Sequence, residues 1–381
     1  MIVQGKIPGS ESPANIVVEN GMINRIKPYV KGSSCDVGDP DLCLCAGFFD
    51  PQVNGFAGVD FNSPLLTREG FHQAALSLAS TGVTRFLPTL ITSSHERMIR
   101  RLRIIGEALR TDPLLQKMCL GIHLEGPYIS AEDGPRGIHP REFVRPPRWE
   151  EIEEFQEACG HQIRCITLAP EVKGAIPFIE KAVDNEMVIG IGHTNASQEA
   201  IEGAVQAGAR LSCHLGNAAP APLTRRRNSI KKQLAMEQLM ASIITDGVHL
   251  SRDTVKHYIE AKGADRILLT TDSMAGAGAS PGKYTLGDLE VDVSTDGTTR
   301  LVGNPRLAGS TLTMDRAITN VIRFARVGLS SAIRMAAKNA QRLFPDVRGE
   351  IISGDPADFV LFKYEGELMV QSTWINGEKI F

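Results

Sequence analysis

Short runs of Val, Ile, Leu and Met recur through the central part of the chain, and stretches with helical spacing of apolar residues separate them. An apolar run without alternation predicts a strand that is buried on both faces, as in a parallel sheet. The intervening helices include Gly70–Ser80, Ile176–Asn185 and Ser197–Ala207. The predicted strands are Cys45–Phe49, Val83–Leu87, Leu120–Leu124, Arg164–Leu168, Met187–Gly192, Arg210–Cys213, Ser242–Thr245 and Ile267–Thr271. Eight strands that alternate with helices predict an α/β fold, a TIM-like (β/α)8 barrel.

Both ends of the chain show a different pattern, in which β-branched and apolar residues flank an Asn-Gly pair. Asn15–Ile23 has this pattern, and the segments Ala357–Phe362 and Trp374–Ile380 repeat it near the other end. Asn-Gly between two such runs predicts a β hairpin. A further hairpin is predicted at Tyr284–Pro305, inserted after the eighth barrel strand.

The length and composition of the chain fit one large domain with an appendage. The chain has 381 residues, 42% of them hydrophobic, and it carries 41 Lys and Arg against 44 Asp and Glu, a formal charge of −3. Such a balance creates no field that would recruit nucleic acid or an anionic membrane. We therefore expect neither of these partners, and a small molecule as substrate.

The location of the protein is predicted from three features. No run of 18 apolar residues occurs, and Met1–Gly5 shows no basic segment followed by an apolar core. The seven cysteines are an odd number without framework spacing, which favours reduced thiols over disulfides. We expect a cytoplasmic protein.

Polar residues follow several predicted strands at the point where each strand ends. They are Gln52 and Asn54 after the first strand, Glu125 at the third, His193 at the fifth, His214 at the sixth and Asp272 at the eighth. The carboxyl ends of barrel strands meet at one mouth, where the active sites of such barrels lie. The six side chains are therefore predicted to converge.

Glu125, His193 and His214 suit a divalent metal ion, because a catalytic site typically offers three nitrogen or oxygen ligands and one open position. Any one of these histidines alone is equally well explained as a hydrogen-bonded structural side chain. Together the three residues favour metal binding. Burial of the Glu125 carboxylate without a partner would cost several kcal/mol of solvation, and a metal ion would supply that partner.

Asp272 has two interpretations. It could cap the turn or helix that follows the eighth strand, as Asp often does. Its position at a strand end beside a metal site favours a general acid and base, which takes a proton from water and returns it to the leaving nitrogen.

Six motifs in this order resemble one family. They are Asp50–Gly55, His123–Pro127, Gly192–Ala196, His214–Ala218, Thr245–His249 and Ala308–Met314. They are similar to those of the N-acetylglucosamine-6-phosphate deacetylases of the amidohydrolase superfamily. The resemblance covers nearly the whole chain. It implies a barrel domain at residues 46–345 and a small β-sandwich domain formed by residues 1–45 and 346–381.

The resemblance also implies an activity, the hydrolysis of N-acetyl-D-glucosamine 6-phosphate to D-glucosamine 6-phosphate and acetate. The metal would be held by Glu125, His193 and His214, with Asp272 as acid and base. Many amidohydrolases carry two histidines where this chain has Gln52 and Asn54, weaker ligands than imidazole, which predicts a single ion. Zinc is the preferred ion, and iron(II), manganese or cobalt would also suit the ligands.

By similarity, several residues would bind the substrate in a homodimer. They are His139, His249, Asn217, Ala218, Gln52 and Arg225, the last as the phosphate ligand, which in this family can reach across the dimer interface. His139 and His249 could instead be ordinary loop histidines, and the Arg225 loop a solvated basic surface. The chain departs from the family pattern at Ala219 and at Arg226–Asn228, which bears on the identity of the sugar.

Three other functions stay open on the sequence. A different N-acetyl hexosamine, or its phosphate, could be the substrate. A cyclic-amide hydrolase would usually have a Lys at the end of the fourth strand, and Ile166–Pro170 contains none. A non-catalytic binding protein would be expected to lose a ligand or the acid and base, and this chain retains all four residues.

Overall fold

The computed structural model describes residues 1–219 and 228–381. The strands are β1 Ile2–Lys6, β2 Ala14–Glu19, β3 Met22–Pro28, β4 Val37–Ala46, β5 Phe48–Val53, β6 Gly55–Phe56, β7 Val59–Asp60, β8 Val83–Ile91, β9 Ile122–Glu125, β10 Ile163–Leu168, β11 Val188–Ile191, β12 Leu211–Ser212, β13 Met240–Ile243, β14 Ile267–Leu269, β15 Gly282–Leu286, β16 Leu289–Val293, β17 Thr299–Leu301, β18 Phe359–Tyr364, β19 Leu368–Ile375 and β20 Glu378–Lys379.

The helices are α1 Arg68–Ala79, α2 His95–Thr111, α3 Pro113–Met118, α4 Trp149–Cys159, α5 Ala175–Asp184, α6 Gln198–Gln206, α7 Ser229–Ala235, α8 Arg252–Lys262, α9 Met314–Ala325 and α10 Leu329–Ala336. Several begin where a hydroxyl caps the first turn. Thr67, Ser94, Ser197 and Ser251 each accept a hydrogen bond from the backbone N–H three residues later. In the part of the chain that the structure describes, no helix combines the length and apolar character needed to cross a membrane.

Eight parallel strands form the barrel, in the order β14-β13-β12-β11-β10-β9-β8-β5. The predicted (β/α)8 architecture is confirmed. Between β14 and β5 the sheet is completed mainly by side chains: the Asp50 carboxylate accepts hydrogen bonds from the hydroxyls of Thr270 at 3.0 Å and Thr271 at 2.5 Å. The backbone N–H of Asn54 donates to the Ser273 carbonyl at 2.8 Å just beyond them. The residues that close the barrel thus lie next to Asp272.

The predicted first strand, Cys45–Phe49, is wrong in its bounds. The chain leaves the terminal sheet at Ala46 and enters the barrel at Phe48, with Gly47 between the two strands. A Cβ atom at Gly47 would lie 2.0 Å from the Thr84 hydroxyl oxygen, so only glycine fits this crossing. The apolar run is continuous because both strands are buried, and hydrophobicity alone does not mark the crossing.

The two ends of the chain build one separate sheet, in the order β20-β19-β18-β4-β1-β2-β3. Strand β4 lies between β1, to which it runs parallel, and β18, to which it runs antiparallel. Both predicted terminal hairpins are present, and their Asn20-Gly21 and Asn376-Gly377 turns have positive φ angles at both residues. The strands predicted to make a small sandwich are therefore joined into a single seven-stranded sheet.

The segment inserted after β14 forms a three-stranded antiparallel sheet of β15, β16 and β17, one strand more than the predicted hairpin. The buried Asp60 carboxylate anchors it, accepting hydrogen bonds from the Thr285 hydroxyl and the Gly287 N–H. Leu286 packs with Ile91 from the barrel in one apolar cluster. The insert therefore covers part of the barrel mouth.

Candidate metal centre and active site

Four polar residues converge at the carboxyl ends of the barrel strands, as predicted. Glu125 is the last residue of β9, and His193, His214 and Asp272 follow β11, β12 and β14 within three residues. All four are buried, with 1–5% of their surface exposed. The φ angles of His193, His214 and Asp272 are 49°, 27° and 49°, in the left-handed region that side chains other than glycine rarely adopt. The chain turns sharply at each of these residues.

The ligand atoms of Glu125, His193 and His214 all lie within 4.8 Å of one another. Glu125 Oε1 is 3.0 Å from His193 Nε2 and 2.5 Å from His214 Nε2. The His193 Nδ1–H donates to the Pro135 carbonyl at 2.9 Å, which turns Nε2 toward the cluster. When the ring is neutral, this nitrogen has the lone pair that a metal ion would take. One carboxylate and two imidazoles that share a small buried space fit a divalent metal ion.

The charges around Glu125 favour its ionised form. Burial raises the pKa of the Glu125 carboxyl, but the hydrogen bonds and positive charge of His193 and His214 outweigh burial and hold that pKa well below its usual range. A carboxylate is the form that binds a cation.

Asp272 is held by two side-chain amides on one of its two oxygens. Its Oδ1 accepts hydrogen bonds from Asn54 Nδ2 at 2.8 Å and Gln52 Nε2 at 3.0 Å. Burial, followed by the negative charge of Glu125, raises the pKa of Asp272 to about 7. Among the described residues no group donates a hydrogen bond to Oδ2, so this oxygen can exchange a proton with a ligand.

Gln52 joins the two carboxylates of the site. Its Nε2 donates to Glu125 Oε1 at 2.8 Å as well as to Asp272, and its Oε1 accepts a hydrogen bond from the Cys213 thiol at 3.1 Å. The thiol therefore fixes which end of the amide faces the carboxylates. The predicted contact of Gln52 with substrate stays a prediction.

His139 lies beside the metal cluster as a buried, neutral imidazole. Its Nδ1 accepts from the Thr92 backbone N–H at 3.3 Å and lies 2.8 Å from the Thr92 hydroxyl. This pattern puts the ring proton on Nε2, which lies 3.8 Å from Glu125 Oε2. Burial and then the charge of His193 lower the pKa of His139 to about 3. The ring can thus act as a hydrogen-bond donor at the centre.

A cavity of about 40 Å³ at the barrel mouth contains most of the predicted site residues. Its polar wall includes Asn54, Glu125, His139, His193, Asn217, His249 and Asp272, with Ala218 beside them. The apolar wall is made by Ile91, Ile138, Leu286 and Leu307. His249 donates from Nδ1 to the Asp246 carboxylate at 2.6 Å, which leaves Nε2 for a ligand. Pockets for small molecules usually measure several hundred Å³, so the mouth is nearly closed.

A wider groove of about 590 Å³ lies elsewhere, between α2 and α4, and it contains none of the converging residues. We place the site at the smaller cavity because the polar groups with altered pKa values meet there. Arg225, predicted to bind phosphate, lies outside the described residues.

Several residues around the site were not singled out by their sequence. Thr92, which holds His139, follows the second barrel strand directly, so the strand-end rule that found Glu125 could have found it. Ser310 supports Asp272 through its backbone N–H, which donates to the Asp272 carbonyl at 2.9 Å. Ser310 lies in the predicted Ala308–Met314 motif, but its spacing indicates no role.

Comparison with known proteins gives the family. No family model matches the chain. The N-acetylglucosamine-6-phosphate deacetylase of Lysinibacillus sphaericus is 30% identical over 93% of this chain and 90% of its own length, and the human protein of that name is 32% identical over 89% and 83%.

Solved structures agree with these relatives. The deacetylase of Thermotoga maritima superposes with a TM-score of 0.88 at 31% identity, covering 100% of this chain and 99% of that one. A mutant deacetylase from Mycobacterium smegmatis in complex with N-acetyl-D-glucosamine-6-phosphate has a TM-score of 0.90 at 27% identity, with coverage of 100% and 99%. The barrel, the residues at the strand ends and these relatives agree, and the chain belongs to the N-acetylglucosamine-6-phosphate deacetylase family.

Proposed function

We propose that this protein hydrolyses the acetamide of N-acetyl-D-glucosamine 6-phosphate, releasing D-glucosamine 6-phosphate and acetate. The observation that carries the proposal is the buried group of Glu125, His193 and His214 with Asp272 beside it. The relatives that bear this name, and the neighbour that binds this sugar phosphate, support the choice of substrate.

We propose that Glu125, His193 and His214 hold one divalent metal ion. Zinc is our first choice, and iron(II), manganese and cobalt also suit this set of ligands. When bound, the ion supplies Lewis acidity, which promotes attack of water on a carbonyl. Gln52 and Asn54 are already bound to the two carboxylates, which supports a single ion.

The side chains of this protein have separate roles in the proposed reaction. Asp272 removes a proton from the attacking water as the new C–O bond forms, and it returns that proton to the nitrogen as the C–N bond breaks. The Nε2–H of His139 donates to the acetyl oxygen as negative charge develops there. No proton leaves His139, because it is already neutral.

The remaining predicted residues would bind the sugar phosphate. His249, Asn217 and Ala218 lie on the cavity wall and offer polar groups to the sugar. Arg225 would pair with the phosphate, reaching across the interface of a homodimer as the family resemblance implies. Seven cysteines that all carry free thiols support a cytoplasmic location.

We also propose two domains, a barrel at 46–345 and a small β domain of residues 1–45 and 346–381. The terminal sheet has its own apolar cluster, which includes Val3, Ile16, Leu44 and Phe359 and supports this division. Two unfolding transitions in calorimetry would support it, and one transition would indicate a single cooperative unit.

The function is tested by measuring acetate release from four substrates: N-acetylglucosamine 6-phosphate, the galactosamine isomer, and both unphosphorylated sugars. Metal content is measured on the same preparation. The mass of the protein in solution tests the proposed homodimer. Release from the first substrate alone supports the proposal. Release from another substrate alone would replace the sugar and retain the chemistry, and a metal-loaded protein inactive on all four would contradict the proposal.

A further inference from the structure

Asn54 is held rigidly at the end of the first barrel strand. Its backbone N–H donates to the Ser273 carbonyl at 2.8 Å, and its carbonyl accepts from the Phe61 N–H at 2.9 Å. Its side-chain Nδ2 donates to Asp272 Oδ1 at 2.8 Å. An ionised carboxylate only accepts hydrogen bonds, so the amide must turn its nitrogen toward Asp272. The direction of the other end of the amide is thereby fixed.

That other end, Asn54 Oδ1, is buried and has no hydrogen-bond partner among the residues that the structure describes. Asn54 lies on the wall of the same cavity as Glu125, His139 and Asp272. Buried acceptors in folded proteins are nearly always paired. The unpaired oxygen therefore points to a donor that a ligand brings to this cavity.

We infer that Asn54 Oδ1 accepts a hydrogen bond from the N–H of the amide that is cleaved. This inference rests on the proposed function. Asp272 must lie within hydrogen-bond reach of the substrate nitrogen, because it returns a proton to that atom. The Asn54 amide is bonded to Asp272, so its oxygen is the acceptor next to that nitrogen.

The contact orients the nitrogen during the reaction. With its N–H held by Asn54, the nitrogen directs the lone pair that develops on C–N cleavage toward the proton on Asp272. The C–N electron pair goes to nitrogen, the proton from Asp272 joins it, and Asn54 gives and takes no proton. Asn54 therefore selects substrates whose leaving atom carries a hydrogen.

An ester tests this contact, because it replaces the N–H with an oxygen that cannot donate. Initial rates of acetate release are compared for two methyl glycosides. The first is that of N-acetylglucosamine 6-phosphate, the amide, and the second is that of 2-O-acetylglucose 6-phosphate, the corresponding ester. The variants are Asn54→Ala and the similarly sized Asn54→Leu, so that one poorly folded variant does not decide the result. The matched control is Gln52→Ala, which removes a donor to the same oxygen of Asp272.

In both Asn54 variants we expect kcat/KM to fall about tenfold further for the amide than for the ester. A factor of this size corresponds to the loss of one hydrogen bond. Gln52→Ala should lose equally on both. Equal losses in the Asn54 variants, or none, would overturn the contact, and so would a second bound metal ion that disappears with Asn54→Ala. An unsubstituted enzyme inactive on the amide would instead overturn the proposed function, and the contact with it.

Discussion

The backbone at three site residues is under strain. His193, His214 and Asp272 all have left-handed φ angles, and each such residue costs on the order of 1–3 kcal/mol. Hydrogen bonds to the surrounding loops hold these turns: Ser130 donates to the His193 carbonyl, and Ser310 donates to the Asp272 carbonyl. The stability of the barrel thus maintains the geometry of the site.

The Asp272→Asn variant should lose about 10²- to 10⁴-fold in kcat, because an amide cannot take the proton from water or return it to nitrogen. The side chain keeps its size, so the metal content should not change. Steady-state kinetics and elemental analysis on the same sample check this. An active variant would remove Asp272 from the mechanism.

The His193→Ala variant should lose most of its metal, since only two ligands remain. Activity should fall with the metal, and the variant should no longer show the higher Tm that metal addition gives the unsubstituted protein. His257→Ala serves as the control, because His257 is exposed on α8 away from the site. Full metal content in His193→Ala would contradict the assigned ligand.

The convergence of the candidate site residues could be predicted from the sequence, but the contacts around them could not. Glu125, His193, His214 and Asp272 can be found because each ends an apolar run and barrel strands share one mouth. The bond from the Cys213 thiol to Gln52 joins residues 161 positions apart, and it depends on the distance between two strands. Local sequence contains no measure of that distance. The left-handed turns are equally hidden, because histidine and aspartate adopt this conformation more often than most residues but still only occasionally.

At the scale of elements, the loop that carries His139 is fastened at both ends to one carboxylate. Glu151 on α4 accepts from the Tyr128 hydroxyl at 2.8 Å before the loop and from Arg145 Nε at 3.0 Å after it. His95 on α2 lies 2.9 Å from the same carboxylate. Glu151 is almost fully buried, so these bonds fix where the loop enters and leaves the barrel mouth.

The Glu151→Gln variant should therefore destabilise the protein by about 3 kcal/mol, because it leaves Arg145 without its buried partner. Its kcat/KM should fall as well, since the position of His139 depends on the loop. Urea unfolding and kinetics measure the two effects. Glu154→Gln on the exposed face of the same helix is the control, expected to change stability by less than about 1 kcal/mol. Equal stability of the two variants would contradict the fastening role.

The elements themselves were largely predictable, and the exceptions have physical causes. The eight barrel strands occur in the predicted order. Each is buried on both faces of the sheet, so each appears in the sequence as a separate run of apolar residues. Cys45–Phe49 was one run yet belongs to two sheets, since both are apolar and only Gly47 separates them. The insert gained its third strand from Thr299–Leu301, which is too short to give a pattern.

For the molecule as a whole, one buried ion pair links the barrel to the terminal sheet. Arg85 on β8 lies 2.6 Å from Asp358, whose other oxygen accepts from the Asn376 N–H at 2.7 Å. The Gly47 N–H donates to the Asp358 carbonyl where the chain crosses between the sheets. Asp358 therefore contacts the barrel, the crossing and the last hairpin at once.

The Asp358→Asn variant should lose about 3 kcal/mol of stability, because the Arg85 side chain, which is only 13% exposed, is left without its counter-charge. Chemical denaturation measures this. Glu378→Gln breaks an exposed pair with Lys117 and should cost less than about 1 kcal/mol. If Asp358→Asn lost no more stability than Glu378→Gln, the ion pair would not join the two sheets.

The arrangement of the terminal sheet has a consequence for how the protein is made. Strand β4 is synthesised well before its neighbour β18, which begins at Phe359, more than three hundred residues later. Pairing across such a separation is slow, and an unpaired strand edge invites aggregation. In pulse-labelled hydrogen exchange the amides of Cys43–Ala46 should become protected after those of the barrel; earlier protection would contradict this order. During synthesis, the growing chain must therefore carry an open β edge until β18 has left the ribosome.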